Sequence, residues 1–294
     1  METVSEIWKL KTEQIPKPLF EIPEPPKELY AEGNLPWEQD EYKYLTVVGS
    51  RKFSTYGRDA CEKLIAGLAG YPIVIISGLA LGIDTIAHKA ALKARLTTIA
   101  VPGSGLERSV LHPHTNKRLA DDVVSAGGCL LSEYEPLMPA GVHTFPRRNR
   151  IIAGMSDAVL VIEAGEKSGT LITARLATEY NRDCLAVPGS IFSPSSTGAN
   201  WLITQGATPI TSSEDVLNAL HINIKEEQEN KQQKLFADLS PQEKVIIDLI
   251  ASEPITRDEI IMTCELSTSE INTLLMTMEI KGLIKEEMGE IRLA

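Results

Sequence analysis

The residues best suited to chemistry lie between Phe145 and Ala174, in the stretch FPRRNRIIAGMSDAVLVIEAGEKSGTLITA. Three arginines fall within four residues (Arg147, Arg148, Arg150), ahead of an apolar run from Ala158 to Ile162 and a Lys167-Ser168-Gly169-Thr170 turn that opens a helical pattern. An apolar run that short, bounded by turn signals, reads as a buried parallel strand. The turn after it then lies at the carboxyl edge of a sheet, where open α/β sheets bind ligands. A helix that begins there aims backbone N–H groups and the positive end of its dipole outward, which favours anions and phosphates above all. The chemistry expected is an electrostatic grip on several phosphates. A solvated rim of surface charge is the competing reading, and for Lys167 alone both readings stay open.

Around this stretch the pattern alternates between strand and helix. Strands are expected at Tyr44–Val48, Ile73–Ile76, Thr97–Val101, Cys129–Ser132, Ala158–Ile162 and Cys184–Val187, with a last short one at Thr208–Thr211. Helical spacing is clearest from Tyr56 to Ala69 and from Asn116 to Val124. Such βαβ units build a parallel sheet with right-handed crossovers. The fold class is therefore α/β: a Rossmann-like, mostly parallel sheet with flanking helices over residues 44–220, plus a small C-terminal winged-helix domain.

The first strand ends in Gly49-Ser50-Arg51-Lys52. The second ends in SGLALGID, where Gly78 and Gly82 let the backbone turn tightly and Asp84 accepts bonds at a helix start. His88, one turn after Asp84, is expected to hydrogen-bond it in a structural role, with acid–base catalysis as the lesser alternative. Ala100–Ser104 and Ala186–Ser190 both read AVPGS, so two glycine loops, one of them Gly189-Ser190, are expected on one edge of the sheet as a shared binding face. The glycine spacing does not match the dinucleotide fingerprint. Glu166 stands where a Walker A motif needs glycine, which disfavours NAD and P-loop ATP chemistry.

The flanks differ from this core. Residues 1–43 are a proline-rich extension with Pro16, Pro18, Pro23, Pro25, Pro26 and Pro36, read as an extended segment laid on a neighbour. Residues 221–240 are polar and free of glycine, as a linker would be. Residues 241–294 hold three helical patterns, ending near Ala251, Met262 and Lys281, then a hairpin over Leu283–Leu293 around Met288-Gly289. Three helices and a hairpin make a winged helix.

The net charge is -11, carried as -5 over residues 1–43, +1 over 44–220, -1 over 221–240 and -6 over 241–294. Attraction of a polyanion follows the local patch, so the neutral central domain with clustered cations stays compatible with nucleic acid. The third winged helix offers Glu270 and Glu279 against Lys281, so a protein-binding or autoregulatory role is expected there rather than phosphate contact. The apolar fraction is 43%, with no run long enough to span a bilayer and a polar N-terminus, which points to a cytoplasmic protein. Cys61, Cys129, Cys184 and Cys264 form no CxxC pair and read as reduced, packed thiols. His112-Pro113-His114 reads as a loop. No metal and no cofactor are expected.

The motifs PPKELYAEGNL, VVGSRKFSTYG, ISGLALGIDTIAHKAAL, LLSEY, FPRRNRIIAGMS, EAGEKSGTLITARLA, AVPGS and TGANWLITQGA, in this order, resemble the DprA/Smf family of DNA-processing proteins. The resemblance covers nearly all the chain from Pro25. It implies a Rossmann-like core that dimerises, binds single-stranded DNA, protects incoming DNA and loads a RecA-type recombinase during natural transformation. It also implies an acidic winged helix. The chain lacks room for the full N-terminal helical domain of longer members, and His112-Pro113-His114 stands where many members have Tyr-Pro.

The expected DNA-binding residues are Gly49, Ser50, Arg51, Lys52, Phe145, Arg147, Arg148, Asn149, Arg150, Lys167, Ser168, Gly169, Thr170, Gly189 and Ser190, with none catalytic. Arg51, the arginine cluster and Lys167 would converge on one pocket, with Phe145 stacking a base and Asn149 bonding one. A packed ring and a turn-stabilising amide are the alternatives for Phe145 and Asn149. The competing class is a nucleotide-binding protein or a phosphoribohydrolase. Hydrolases with this core carry a Gly-Gly-x-Gly-Thr-x-x-Glu motif, yet Thr173 stands at the glutamate position, leaving Glu163 or Glu179 as substitutes.

Overall fold

Short apolar runs that end in small residues become parallel strands in the computed structural model, which describes residues 6–38, 42–223, 240–250, 254–264, 266–281, 283–287 and 289–293. The chain divides into two units, residues 1–222 and 223–294. In the first, β3 (Lys43–Val48), β4 (Ile73–Ser77), β5 (Thr98–Ala100), β6 (Cys129–Ser132), β7 (Ala158–Val161), β8 (Asp183–Ala186) and β9 (Thr208–Pro209) pair in parallel. With β1 (Trp8–Lys9) and β2 (Tyr30–Gly33), the sheet order is β1-β2-β6-β5-β4-β3-β7-β8-β9. The central strands are buried on both faces, as a doubly wound sheet requires.

Sequence order runs from β3 outward to β6, then returns to β7 on the other side of β3. Right-handed crossovers therefore place α1 (Thr55–Ala66), α2 (Ile83–Lys93) and α3 (Lys117–Ser125) on one face. They place α4 (Thr144–Met155), α5 (Thr170–Glu179) and α6 (Thr197–Thr204) on the other. The reversal point, between β3 and β7, is where such sheets open a crevice at their carboxyl edge. A last helix, α7 (Ser213–Ala219), closes the unit.

The described residues of the N-terminal extension, 6–38 and 42–43, do more than lie extended on a neighbour. β1 and β2 extend the sheet in antiparallel pairing, with Ala31 opposite Leu131. Leu10, Ile15, Leu19, Ile22 and Leu29 are buried in one core with Val74, Ile99 and Ile152, so this segment belongs to the first unit. β1 has two residues and β2 four, too short to show a strand period among the flanking prolines.

The second unit is a winged helix. α8 (Pro241–Ile250), α9 (Arg257–Thr263) and α10 (Thr268–Ile280) pack around Ile246, Ile260, Ile271, Leu275 and Met278. The wing is a sheet of β10 (Ile255–Thr256), β12 (Glu290–Leu293) and β11 (Ile284–Glu287), antiparallel throughout. Thr256 and Ser267 start α9 and α10 with reciprocal capping boxes to Glu259 and Glu270. The expected linker falls almost wholly on residues 224–239, outside the described residues, as do Ala251 and Met288.

Candidate nucleic-acid interface

A cavity of about 430 Å³ opens at the reversal point. Gly49, Ser50, Arg51 and Lys52, after β3, form one wall; Ser168, Gly169 and Thr170, at the start of α5, form the second; Phe145, Arg148 and Asn149 of α4 form the third. The β3 loop is fixed by its own hydrogen bonds. Ser50 N–H donates to the Glu163 carbonyl (2.8 Å), the Ser50 carbonyl accepts from Ile83 N–H (3.2 Å), and Ser50 Oγ takes the Lys52 N–H (3.1 Å). In the opposite wall Ser168 Oγ takes the Thr170 N–H (3.3 Å) and donates to Thr170 Oγ1 (3.0 Å). These residues start α5 and line the cavity, so the positive end of the helix dipole lies beside it.

At the mouth, the Arg51 guanidinium lies 5.3 Å from the centre of the Phe145 ring, within cation–π range. His112 flanks the same ring, centroid to centroid 5.6 Å. The His112-Pro113-His114 loop is therefore part of the mouth, and its imidazole is held below the usual range by burial, then by His114 and Arg51.

The arginine cluster separates. It lies on a helix, α4, and the helical period turns its members in different directions. Arg148 points under the cavity floor, buried, and donates to the carbonyls of Gly78 and Val101. Asp84 comes to the same place and accepts the Gly78 N–H (3.1 Å). Burial lowers the Arg148 guanidinium to about 10 and raises the Asp84 carboxyl, with their mutual attraction opposing both shifts. Gly78 is needed here for space, since a Cβ would strike both Arg148 and Asp84. The tight turn falls instead on Gly82 (φ 86°) and Leu79 (φ 57°).

Arg150 does not reach the cavity. It pairs with buried Glu133 and donates to the Glu24 carbonyl (2.6 Å), tying α4 to the N-terminal segment. Arg147 stands outside as well, exposed and 3.4 Å from Glu133. Lys167 is exposed and does not line the cavity, which fits the solvated rim. Neither does Asp84 bond His88: the His88 Nδ1 pairs with Thr98 Oγ1 (2.8 Å), and burial keeps the imidazole neutral, down to about 3.

Gly189 and Ser190 line a second cavity, of about 480 Å³, with Tyr56, Glu163, Ser193 and Ser196. The two AVPGS loops therefore do not share one pocket. Glu163 is buried and held from both sides: its carboxylate accepts from Ser54 N–H (2.9 Å), Ser54 Oγ (2.6 Å) and Ser195 Oγ (2.9 Å). Sequence reasoning missed this brace and the Asp84–Arg148 floor, because both join residues far apart in the chain. Among the described residues there is no cluster of three or more His, Cys, Asp or Glu that would hold a metal, and no helix long and apolar enough to cross a membrane. All four cysteines are free thiols.

Residues 6–221 match the family model for DNA recombination-mediator protein A, and residues 231–290 match the DprA winged helix domain. Protein Smf of Escherichia coli is 43% identical over 213 residues, 72% of this chain and 56% of that protein. The chain thus spans little more than half of that relative. DNA processing protein DprA of Streptococcus pneumoniae is 47% identical over 203 residues, 69% of this chain and 70% of that one. Its X-ray structure superposes with a TM-score of 0.67 over 74% of each chain, at 42% identity. DNA processing protein A of Helicobacter pylori, described by its single-stranded DNA binding mode, superposes with a TM-score of 0.65 over 75% of this chain and 98% of that one, at 30% identity. The order of strands, the cavity at their reversal point and these matches agree: the chain belongs to the DNA recombination-mediator protein A family, the DprA/Smf family of DNA-processing proteins.

Proposed function

We propose that this chain binds single-stranded DNA at the carboxyl edge of its sheet, protects incoming DNA and loads a RecA-type recombinase onto it in natural transformation and homologous recombination. The observation that carries the binding step is the Arg51–Phe145 pair at the mouth of a cavity backed by the α5 N-terminus. A cation, an aromatic face and the positive end of a helix dipole together suit phosphates and stacked bases without regard to sequence. The relative from Helicobacter pylori, described by its single-stranded DNA binding mode, supports the same ligand class. Recombinase loading, a homodimer and a cytoplasmic location rest on family likeness.

The chain acts as a binding protein and not a hydrolase. Thr173 occupies the motif position of the hydrolase glutamate. Glu163 is engaged by Ser54 and Ser195, and Glu179 ends α5, about 13 Å along the helix from its start.

The test is binding of a labelled oligothymidylate and of duplex DNA of the same length across a salt series. Preference for the single strand is expected, with affinity falling as salt rises by about 0.7 log units per log unit of salt for each phosphate gripped. Absence of binding at low salt overturns the reading. Tight mononucleotide binding without oligonucleotide binding favours a nucleotide sensor instead.

A further inference from the structure

The second cavity lies one strand further along the same edge. The first sits between the loops after β3 and β7, and the second takes its walls from the start of α1, from Glu163 after β7 and from the loop after β8. Neighbouring strands are about 4.8 Å apart, so the two cavities are close neighbours along the edge. They share a wall, because Ser50 at the first is bonded to the Glu163 backbone at the second (2.8 Å).

Their chemistry differs. The first is lined by Arg51, Lys52 and Arg148. The second has no cation in its lining and holds one buried carboxylate with the hydroxyls of Ser54, Tyr56, Ser190, Ser193 and Ser196. A phosphate is disfavoured beside that carboxylate. Hydroxyls both donate and accept, so they suit the edge of any base or a sugar.

The cavity is also preformed. Glu163 ties the 190–196 loop, through Ser195, to the Ser54 cap of α1, and Tyr56 Oη bridges to the Pro188 carbonyl (2.6 Å). Between the lining residues Ser190 and Ser193, Phe192 is 89% exposed, its backbone N–H held by Ser190 Oγ (3.2 Å).

We propose that this hydroxyl-lined cavity is a nucleoside subsite, which receives a base of the strand whose phosphates are gripped in the cationic cavity, with Phe192 as its stacking surface. The inference rests on the single-strand reading above and deepens it: the site is a track of at least two unlike subsites, the first for phosphate and the second for base and sugar.

The experiment measures affinity of the full chain for oligothymidylates of increasing length, from thymidine 5′-monophosphate upward. Phe192→Ala removes an exposed ring, so an unchanged thermal midpoint checks the fold. Expected is a step in affinity with length in the unaltered chain that Phe192→Ala loses by about tenfold and Phe192→Trp retains, while the shortest ligands bind all three alike. Identical length profiles for Phe192→Ala and the unaltered chain overturn the subsite, as does an equal loss at every length. Arg51→Ala weakens binding at every length, which separates the two cavities. Failure of the unaltered chain to bind any length overturns the single-strand reading, and the subsite with it.

Discussion

Two regions of this molecule have a shape that grips nucleic acid elsewhere, and they are charged in opposite senses. The carboxyl edge of the sheet concentrates Arg51, Lys52 and Arg148 in a domain that is otherwise neutral. The third helix of the winged unit, α10, presents Ser269, Thr273, Met276 and Ile280 outward, without a cation, and residues 241–294 carry a charge of -6. Shape alone therefore does not assign the ligand. The position of a few guanidinium groups is what separates the two regions, because the phosphate term dominates affinity for nucleic acid.

The largest effect is expected where a cation serves the frame. Arg148→Ala leaves Asp84 and two carbonyls without their partner, a loss of about 3 to 5 kcal/mol in the stability of the first unit. All three tryptophans, Trp8, Trp37 and Trp201, lie in that unit, so denaturant unfolding followed by their fluorescence reads it selectively. A stable Arg148→Ala chain that has lost only affinity would move Arg148 from the frame to the ligand.

Next comes Arg51→Ala, which removes the cation over the Phe145 ring and, on the proposed function, a phosphate contact. Affinity for a single strand is expected to fall by ~2 to 3 kcal/mol, roughly thirty- to a hundred-and-fifty-fold, with a shallower salt slope. An unchanged slope would place the grip elsewhere.

A smaller effect is expected from pH in the winged unit. Lys281 donates to Glu243 (2.6 Å), and this bond, followed by the Ser240 N–H, holds the carboxyl below its usual range. A lowered folded value means that the contribution is present above the unfolded value of about 4.3. It is lost as pH falls through the folded value. Lys281 is half exposed, so the contribution is below about 1 kcal/mol. Amide exchange of α8 and α10 at falling pH, compared between the unaltered chain and Lys281→Met, measures it. Equal pH dependence would remove Lys281 as the cause.

The smallest effect sharpens the comparison most. Thr273→Ala with Met276→Ala on α10 is expected to change single-strand affinity by less than about twofold, the scale of a surface change away from a site. A larger loss would make the winged helix a second DNA contact and end the contrast.

The inner parallel strands were legible because they are short apolar runs closed by small residues: Cys129–Ser132 lies where its pattern places it, and Ala158–Val161 differs by one residue. The winged helix was legible from three periodic segments and a Met-Gly turn. The direction of each arginine was not. Arg147, Arg148 and Arg150 are adjacent in sequence, yet the 100° step per residue of α4 sends one to the floor and two toward Glu133. The signal was available: Ile151, Ile152 and Met155 recur at helical spacing behind Pro146, so the cluster reads as the first turns of a helix. The Glu163 brace could not be read, since Ser54 and Ser195 lie 109 and 32 residues away and meet only after the sheet is built.

That brace has a consequence for anyone who would engineer a hardier form of this protein. Gly57 sits inside α1, where alanine is ordinarily a safe gain of about 0.5 to 1 kcal/mol in helix propensity. Here the added methyl would meet the Glu163 carboxylate head-on. A consensus or propensity-guided redesign should leave that glycine alone, or it will trade a firmer helix for a displaced carboxylate between two cavities.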